Sequence, residues 1–209
     1  MGWMATERLQ LSAAPGPLAF VQDLLNTAPI GTRSDLLEAT ASAEGWLRDA
    51  LEEWAEQRAV DAPTVELSDS GVHRLRDLRD DLRGVLYARD TSDAPGPVDV
   101  TARWSEPAVV DVDGGGVASL LPVGRDWHVV ASLVAIEILE AQRSGAWPRL
   151  KVCRNTTCAA SFFDRSRNNS GVWHSTRTCG NVANLRAHRS RRRAAGTAQE
   201  PDRAPAANA

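Results

Sequence analysis

Three cysteines and one histidine carry the clearest chemistry in this sequence. They follow the spacing Cys153-x4-Cys158-x15-His174-x4-Cys179, and no other cysteine occurs among the 209 residues. Two close pairs separated by a longer excursion suit a tetrahedral metal site. Each pair can sit on a tight turn that aims two donors inward, and the excursion brings the two turns together. Soft thiolates with one imidazole favour a single Zn2+. All four positions are then filled by protein, so the site is expected to be closed and structural, because a catalytic zinc keeps a place for water. Three thiolates and a neutral imidazole leave one net negative charge at the centre, which Arg154 and Arg177 can offset. Three cysteines cannot all pair, which argues against a disulfide framework. Buried thiols beside an unrelated histidine, or a redox switch among the thiols, are the alternatives.

The elements that hold this cluster follow from hydrophobic periodicity. Leu18, Val21, Leu24 and Leu25 recur at helical spacing within 17–29, which Pro29 ends. Residues 32–60 are expected to be a longer helical region with Leu36, Leu37, Trp46, Leu47, Ala50, Leu51 and Trp54 as its apolar stripe, and Gly45 could break it. Ser68 or Asp69 can cap a third helix, in which Val72, Leu75, Leu78, Leu82, Val85 and Leu86 repeat at threes and fours. The period then changes to two. Residues 98–104 alternate, and 108–123 hold two β-prone runs around Asp113-Gly114-Gly115-Gly116, the turn of a hairpin. Residues 126–145 return to helix, stopped by Gly145. Trp46, Trp54, Trp104 and Trp127 should centre the packing. Residues 143–149 form a short joint, so the parts on either side are expected to pack together or stay close.

Charge divides the chain sharply. Residues 1–150 carry thirteen arginines against 24 acids, a balance of −11, whereas 151–193 carry ten basic residues against Asp164 alone, a balance of +9. An acidic body joined to a basic, metal-binding segment points to a polyanionic partner, DNA above all. Residues 182–196 read as a helix that gathers Arg186, Arg189 and Arg193 on one side with Arg192 at its edge. Such a helix can enter a major groove while Arg165, Arg167 and Arg177 meet the phosphate backbone. A merely solubilising basic tail is the blander alternative.

Enzymatic signals are thin, and no catalytic role is expected. Gly114–Gly116 lacks the Lys-Ser/Thr of a phosphate loop. His73 and His128 sit beside apolar residues at helical positions and read as packed or partly exposed side chains. The charged run 74–83 reads as a solvated, salt-bridged helix face. No apolar stretch approaches the roughly 20 residues that span a bilayer, and no secretory signal is visible, so a cytoplasmic location without membrane contact is expected. On that route the glycosylation-like triplet Asn155-Thr156-Thr157 carries no meaning.

The cysteine pair, "SFFDRSRNNSGVWH" and "CGN" before a basic helix resemble the CGNR-type zinc finger, over about residues 148–193. "FVQDLLNT" at 20–27 and the arginine-leucine helix 74–86 resemble the ABATE domain that precedes the finger in that family. The resemblance implies a stress-linked bacterial transcription regulator. His174 stands where the family usually has cysteine, a competent zinc donor, and Val182 replaces the arginine of the signature, which would remove one nucleic-acid contact. The expected fold is α+β: a mostly helical amino-terminal domain over 1–147 with a small antiparallel sheet, a zinc-finger module over 148–193 ending in a basic helix, and a disordered tail over 194–209. The expected function is zinc-dependent DNA binding, with the amino-terminal domain sensing a small-molecule effector or mediating homodimerisation. The alternative is a ligand-processing or enzymatic domain that uses the finger to dock protein or RNA. In a further reading the basic segment serves the acidic body itself, within or between chains.

Overall fold

The structure, a computed structural model, describes residues 2–91, 101–155, 157–182 and 185. It has the mixed helix-and-sheet architecture expected from the sequence. Five α-helices appear among the described residues: α1 (Met4–Glu7), α2 (Leu18–Asn26), α3 (Thr40–Arg58), α4 (Asp69–Thr91) and α5 (Trp127–Arg143). Two antiparallel hairpins join them, β1 (Ala108–Val112) with β2 (Ala118–Pro122), and β3 (Leu150–Val152) with β4 (Ser161–Phe163). The chain divides into two compact units, Met1–His174 and Ser175–Ala209.

In the first unit α2 is central, buried at every position. Its polar residues must therefore be satisfied inside the protein. Asp23 accepts from the Thr6 amide at 2.7 Å and from Trp46 Nε1 at 2.8 Å. Asn26 grips the backbone of β4, accepting from the Ser161 amide at 2.8 Å and donating to its carbonyl at 3.0 Å. Burial pushes the Asp23 carboxyl above its ordinary range despite these bonds.

Around α2 the core gathers Trp46 and Trp54, each 1% exposed, with leucines and valines of α3, α4 and α5. Burying an indole of this kind is worth about 4–6 kcal/mol of transfer free energy. Trp104 and Trp127 pack against this core from its half-buried margin. Leu150 and Val152 of β3 belong to the same core. The second hairpin is thus seated on the helices, with Leu150 opposite Phe163, Lys151 opposite Phe162 and Val152 opposite Ser161.

Three local expectations need correction. Helix α3 begins at Thr40, not near residue 32, because the Asp35 side chain accepts from the Leu37 amide at 2.9 Å and holds a turn there; α3 then runs unbroken through Gly45. The alternating run 98–104 forms no strand over its described part, 101–104. There Trp104 docks on α5 instead, donating from Nε1 to the Ala131 carbonyl at 3.1 Å. The charged face 74–83 is only partly solvated. Arg79 is buried against Asp35 at 2.6 Å, and Arg83 donates at 2.8 Å to the carbonyls of both Leu25 and Ala159. Long guanidinium side chains reach carbonyls left orphaned at the ends of neighbouring elements, which a solvated face would waste.

The first hairpin forms where expected. Asp113 Oδ1 accepts from the amides of Gly115 and Val117 at 2.8 and 2.9 Å, and Gly116 takes a φ of 80°, which a side chain would resist. Asp126 caps α5, accepting from the Trp127 amide at 2.8 Å.

The described part of the second unit starts with a single π-helical turn, Thr176–Gly180, capped by the Ser175 hydroxyl on the Thr178 amide at 3.2 Å. Asn181, Val182 and Leu185 are helical. The rest of the expected basic helix, 186–196, and the expected disordered tail lie outside the described residues. No helix of the described residues is long and apolar enough to cross a membrane.

Candidate metal centre

Cys153 leaves β3 at its carboxyl end, and its amide donates to the Ala160 carbonyl at 2.8 Å, extending the hairpin by one bond. The chain then reverses. The Asn155 carbonyl accepts from the amides of Cys158 and Ala159 at 2.8 and 2.9 Å, while its side chain accepts from the Thr157 hydroxyl at 2.9 Å. Ala159 completes the reversal with a φ of 50°. Asn155 is therefore the organiser of the first turn. Its Asn-x-Thr pattern, which resembles a glycosylation site, is a turn signal that sequence reading passed over.

The excursion to His174 is anchored from below. Asp164 is buried, accepts from Lys151 Nζ at 2.8 Å and from the Gly171 amide at 2.6 Å, and Lys151 also donates to the Asn169 and Gly171 carbonyls. Burial would raise the Asp164 carboxyl, but the hydrogen bonds from Lys151, Ser166 and Gly171 outweigh it and hold the group well below the usual carboxylate range. This loop returns the chain to the first turn, with the Arg154 amide on the Val172 carbonyl at 3.1 Å. His174 Nδ1 then lies 3.4 Å from Cys158 Sγ.

The donor atoms of Cys153, Cys158, His174 and Cys179 all lie within 4.8 Å of one another. Thiolates around a tetrahedral zinc at about 2.3 Å stand roughly 3.8 Å apart, so the cluster needs little contraction to close on an ion. Cys153 and Cys179 are buried and Cys158 is half-buried. Hydrogen bonding to Cys158, against the opposing effect of burial and with help from His174, pulls the Cys153 thiol down to about 4. A thiolate at neutral pH is what a zinc ligand must be. The cluster fits one structural Zn2+, with all four places taken by protein.

The expected phosphate-contacting arginines are placed as follows. Arg165, Arg167 and Arg177 are exposed. Arg165 donates to the Ala13 carbonyl at 2.7 Å and stacks over the Phe163 ring at 5.6 Å. Arg177 lies on the π-helical turn. Arg186, Arg189, Arg192 and Arg193 lie outside the described residues. His73 and His128 are both exposed; His128 Nδ1 meets the Glu106 carboxylate at 2.9 Å.

With this geometry in hand, residues 149–192 match the CGNR zinc finger family. The match takes in all four donors and both turns. No curated protein matches the chain.

Proposed function

We propose that this chain is a zinc-dependent DNA-binding protein of the cytoplasm, a stress-linked transcription regulator. Its residues 1–147, the ABATE-like part, would sense a small-molecule effector or mediate homodimerisation. One observation carries the reading. In the helical body Arg58, Arg79 and Arg89 are engaged by the carboxylates of Glu137, Asp35 and Asp90, while Arg8, Arg76 and Arg83 are spent on backbone carbonyls. Around the metal cluster Arg154, Arg165, Arg167 and Arg177 are exposed, and none has an ion-pair partner among the described residues. The one acid of that segment, Asp164, is buried and neutralised by Lys151. Arginines without counter-ions, mounted on a metal-braced scaffold, suit a polyanion whose phosphates supply the missing charge.

The test is selection of fragmented genomic DNA by the zinc-loaded protein, with a chelated control. A motif enriched only with zinc supports a sequence-specific regulator. Metal-dependent capture without a motif supports a non-specific nucleic-acid binder, and no capture rejects DNA as the partner.

One observation favours the ligand-processing alternative. Glu137, whose carboxyl burial raises above its ordinary value, lines a cavity of about 400 Å³ together with Glu140 and Pro15. Trp54 Nε1 and Arg58 hold the Glu137 carboxylate at 2.8 and 2.7 Å. Perturbed acids in cavities mark candidate sites. Turnover or ligand binding lost in Glu137→Gln, with the fold intact, would favour this reading.

A further inference from the structure

Beside the loop that returns to His174 lies a shallow cavity of about 480 Å³ whose charged lining is entirely cationic: Arg149, Arg165 and Arg167, with no carboxylate. Two of the three guanidiniums are pinned by the protein without being neutralised. Arg149 Nη1 donates to the carbonyls of Asp164 and Ser166 at 3.0 and 2.8 Å. Arg165 is held between the Ala13 carbonyl and the half-buried Phe163 ring. Arg167 is exposed and makes no side-chain bond among the described residues. Ser144 and Gly145, beyond the carboxyl end of α5, also line it. The carbonyl end of α5 contributes about half a negative charge at most, which three full positive charges exceed.

Gathering three arginines without a counter-ion costs mutual repulsion. Arg149 and Arg165 also brace backbone carbonyls, but Arg167 has no such structural bond among the described residues. Lys151 already neutralises the one acid beneath them. Carbonyl-bound guanidiniums keep their remaining N–H groups in a fixed fork, the geometry that receives phosphate oxygens in pairs.

We propose that this cavity is a binding site for a phosphate group, with Arg149 and Arg165 as its fixed walls and Arg167 as the arm that closes on it. The inference rests on the DNA-binding reading for its first source of phosphate, the duplex backbone. A free phosphate monoester is the second source with the same chemistry. Arg149, at the joint before the cysteine cluster, is a contact that neither the cysteine spacing nor the expected basic helix points to.

Two measurements on the full zinc-loaded chain test it. In the first, inorganic phosphate is titrated against chloride at equal ionic strength while the arginine Nε–H resonances are followed by NMR. Saturable shifts confined to Arg149, Arg165 and Arg167 are expected, and Arg167→Ala should abolish them. In the second, the salt dependence of DNA binding is compared for the wild type, Arg167→Ala, and Arg48→Ala as a control of equal charge on α3. If the backbone is the source, Arg167→Ala lowers the slope by about 0.9 and Arg48→Ala does not. Phosphate shifts with an unchanged slope, and tighter binding of a nucleoside monophosphate than of phosphate, assign the site to a free phosphate monoester. No selective shift together with an unchanged slope overturns the site even if the chain binds DNA. Phosphate shifts in a chain that binds no DNA overturn the DNA reading and leave the site standing.

Discussion

At the scale of single residues, Gly171 shows how little room the loop before His174 has. A Cβ there would stand 2.9 Å from all three carboxyl atoms of Asp164, while the Gly171 amide and carbonyl already serve Asp164 and Lys151. Gly171→Ala is expected to cost about 1–3 kcal/mol in denaturant unfolding of the zinc-loaded protein, and to speed zinc loss to a chelator. Unchanged stability would mean the loop shifts aside without strain. Two buried carboxylates act on stability in opposite directions with pH. Asp164 ionises more readily folded than unfolded, so its contribution is present above the ordinary value near 3.9 and is lost as pH falls through its lower folded value. Asp23 ionises less readily folded, so its contribution is greatest below the ordinary value and is lost as pH rises through its raised one. The stability of the wild type minus that of Asp23→Asn should therefore decline as pH climbs from about 4. Urea unfolding at a series of pH values measures this, and a difference flat in pH would contradict it.

At the scale of elements, the helices and the first zinc turn are joined by two side-chain clamps. Asn26 of α2 holds the Ser161 backbone of β4 in both directions. Arg83 of α4 bonds the Leu25 carbonyl of α2 and the Ala159 carbonyl next to Cys158. A bond from a charged donor is worth about 1.5–3 kcal/mol, and removing Arg83 leaves two carbonyls without it. Arg83→Ala should lower stability by about 2–3 kcal/mol and hasten amide hydrogen exchange at Cys158 and Ala159, with exchange in the middle of α5 less affected. Equal acceleration everywhere would show only global destabilisation and would remove the claim of a clamp.

At the scale of the whole molecule, metal and core are thermodynamically linked, because Leu150 and Val152 of β3 lie in the same core as Trp46 and Trp54. Zinc that binds the folded state alone adds to its stability by mass action. Chelation, or Cys158→Ser, should remove the bound zinc and lower the Tm of the helical signal in circular dichroism. At 25 °C most of the helix content should persist, since the larger part of the core lies in α2 to α5. Loss of all helix on chelation would mean the metal is a condition of folding for the entire chain, and an unmoved Tm would show that the metal turns and the helices are not coupled. The division of charge belongs to this scale too, with −11 before residue 151 and +9 over 151–193.

The sequence by itself determined the features that depend on near neighbours. Four donors in two spaced pairs announce a metal site because coordination chemistry restricts which side chains can share an ion. The turn at Asp113–Gly116 and the periodicity of α2, α4 and α5 are equally local. Only the tertiary structure decided where the arginines go. Arg83 meets Leu25 across 58 positions and Asn26 meets Ser161 across 135, and no spacing rule reaches that far. The same holds for the burial of all of α2, which makes Gln22, Asp23 and Asn26 internal ligands of the backbone. A charged or amide side chain records what it can bond, but which carbonyl or carboxylate is presented to it depends on the assembled core.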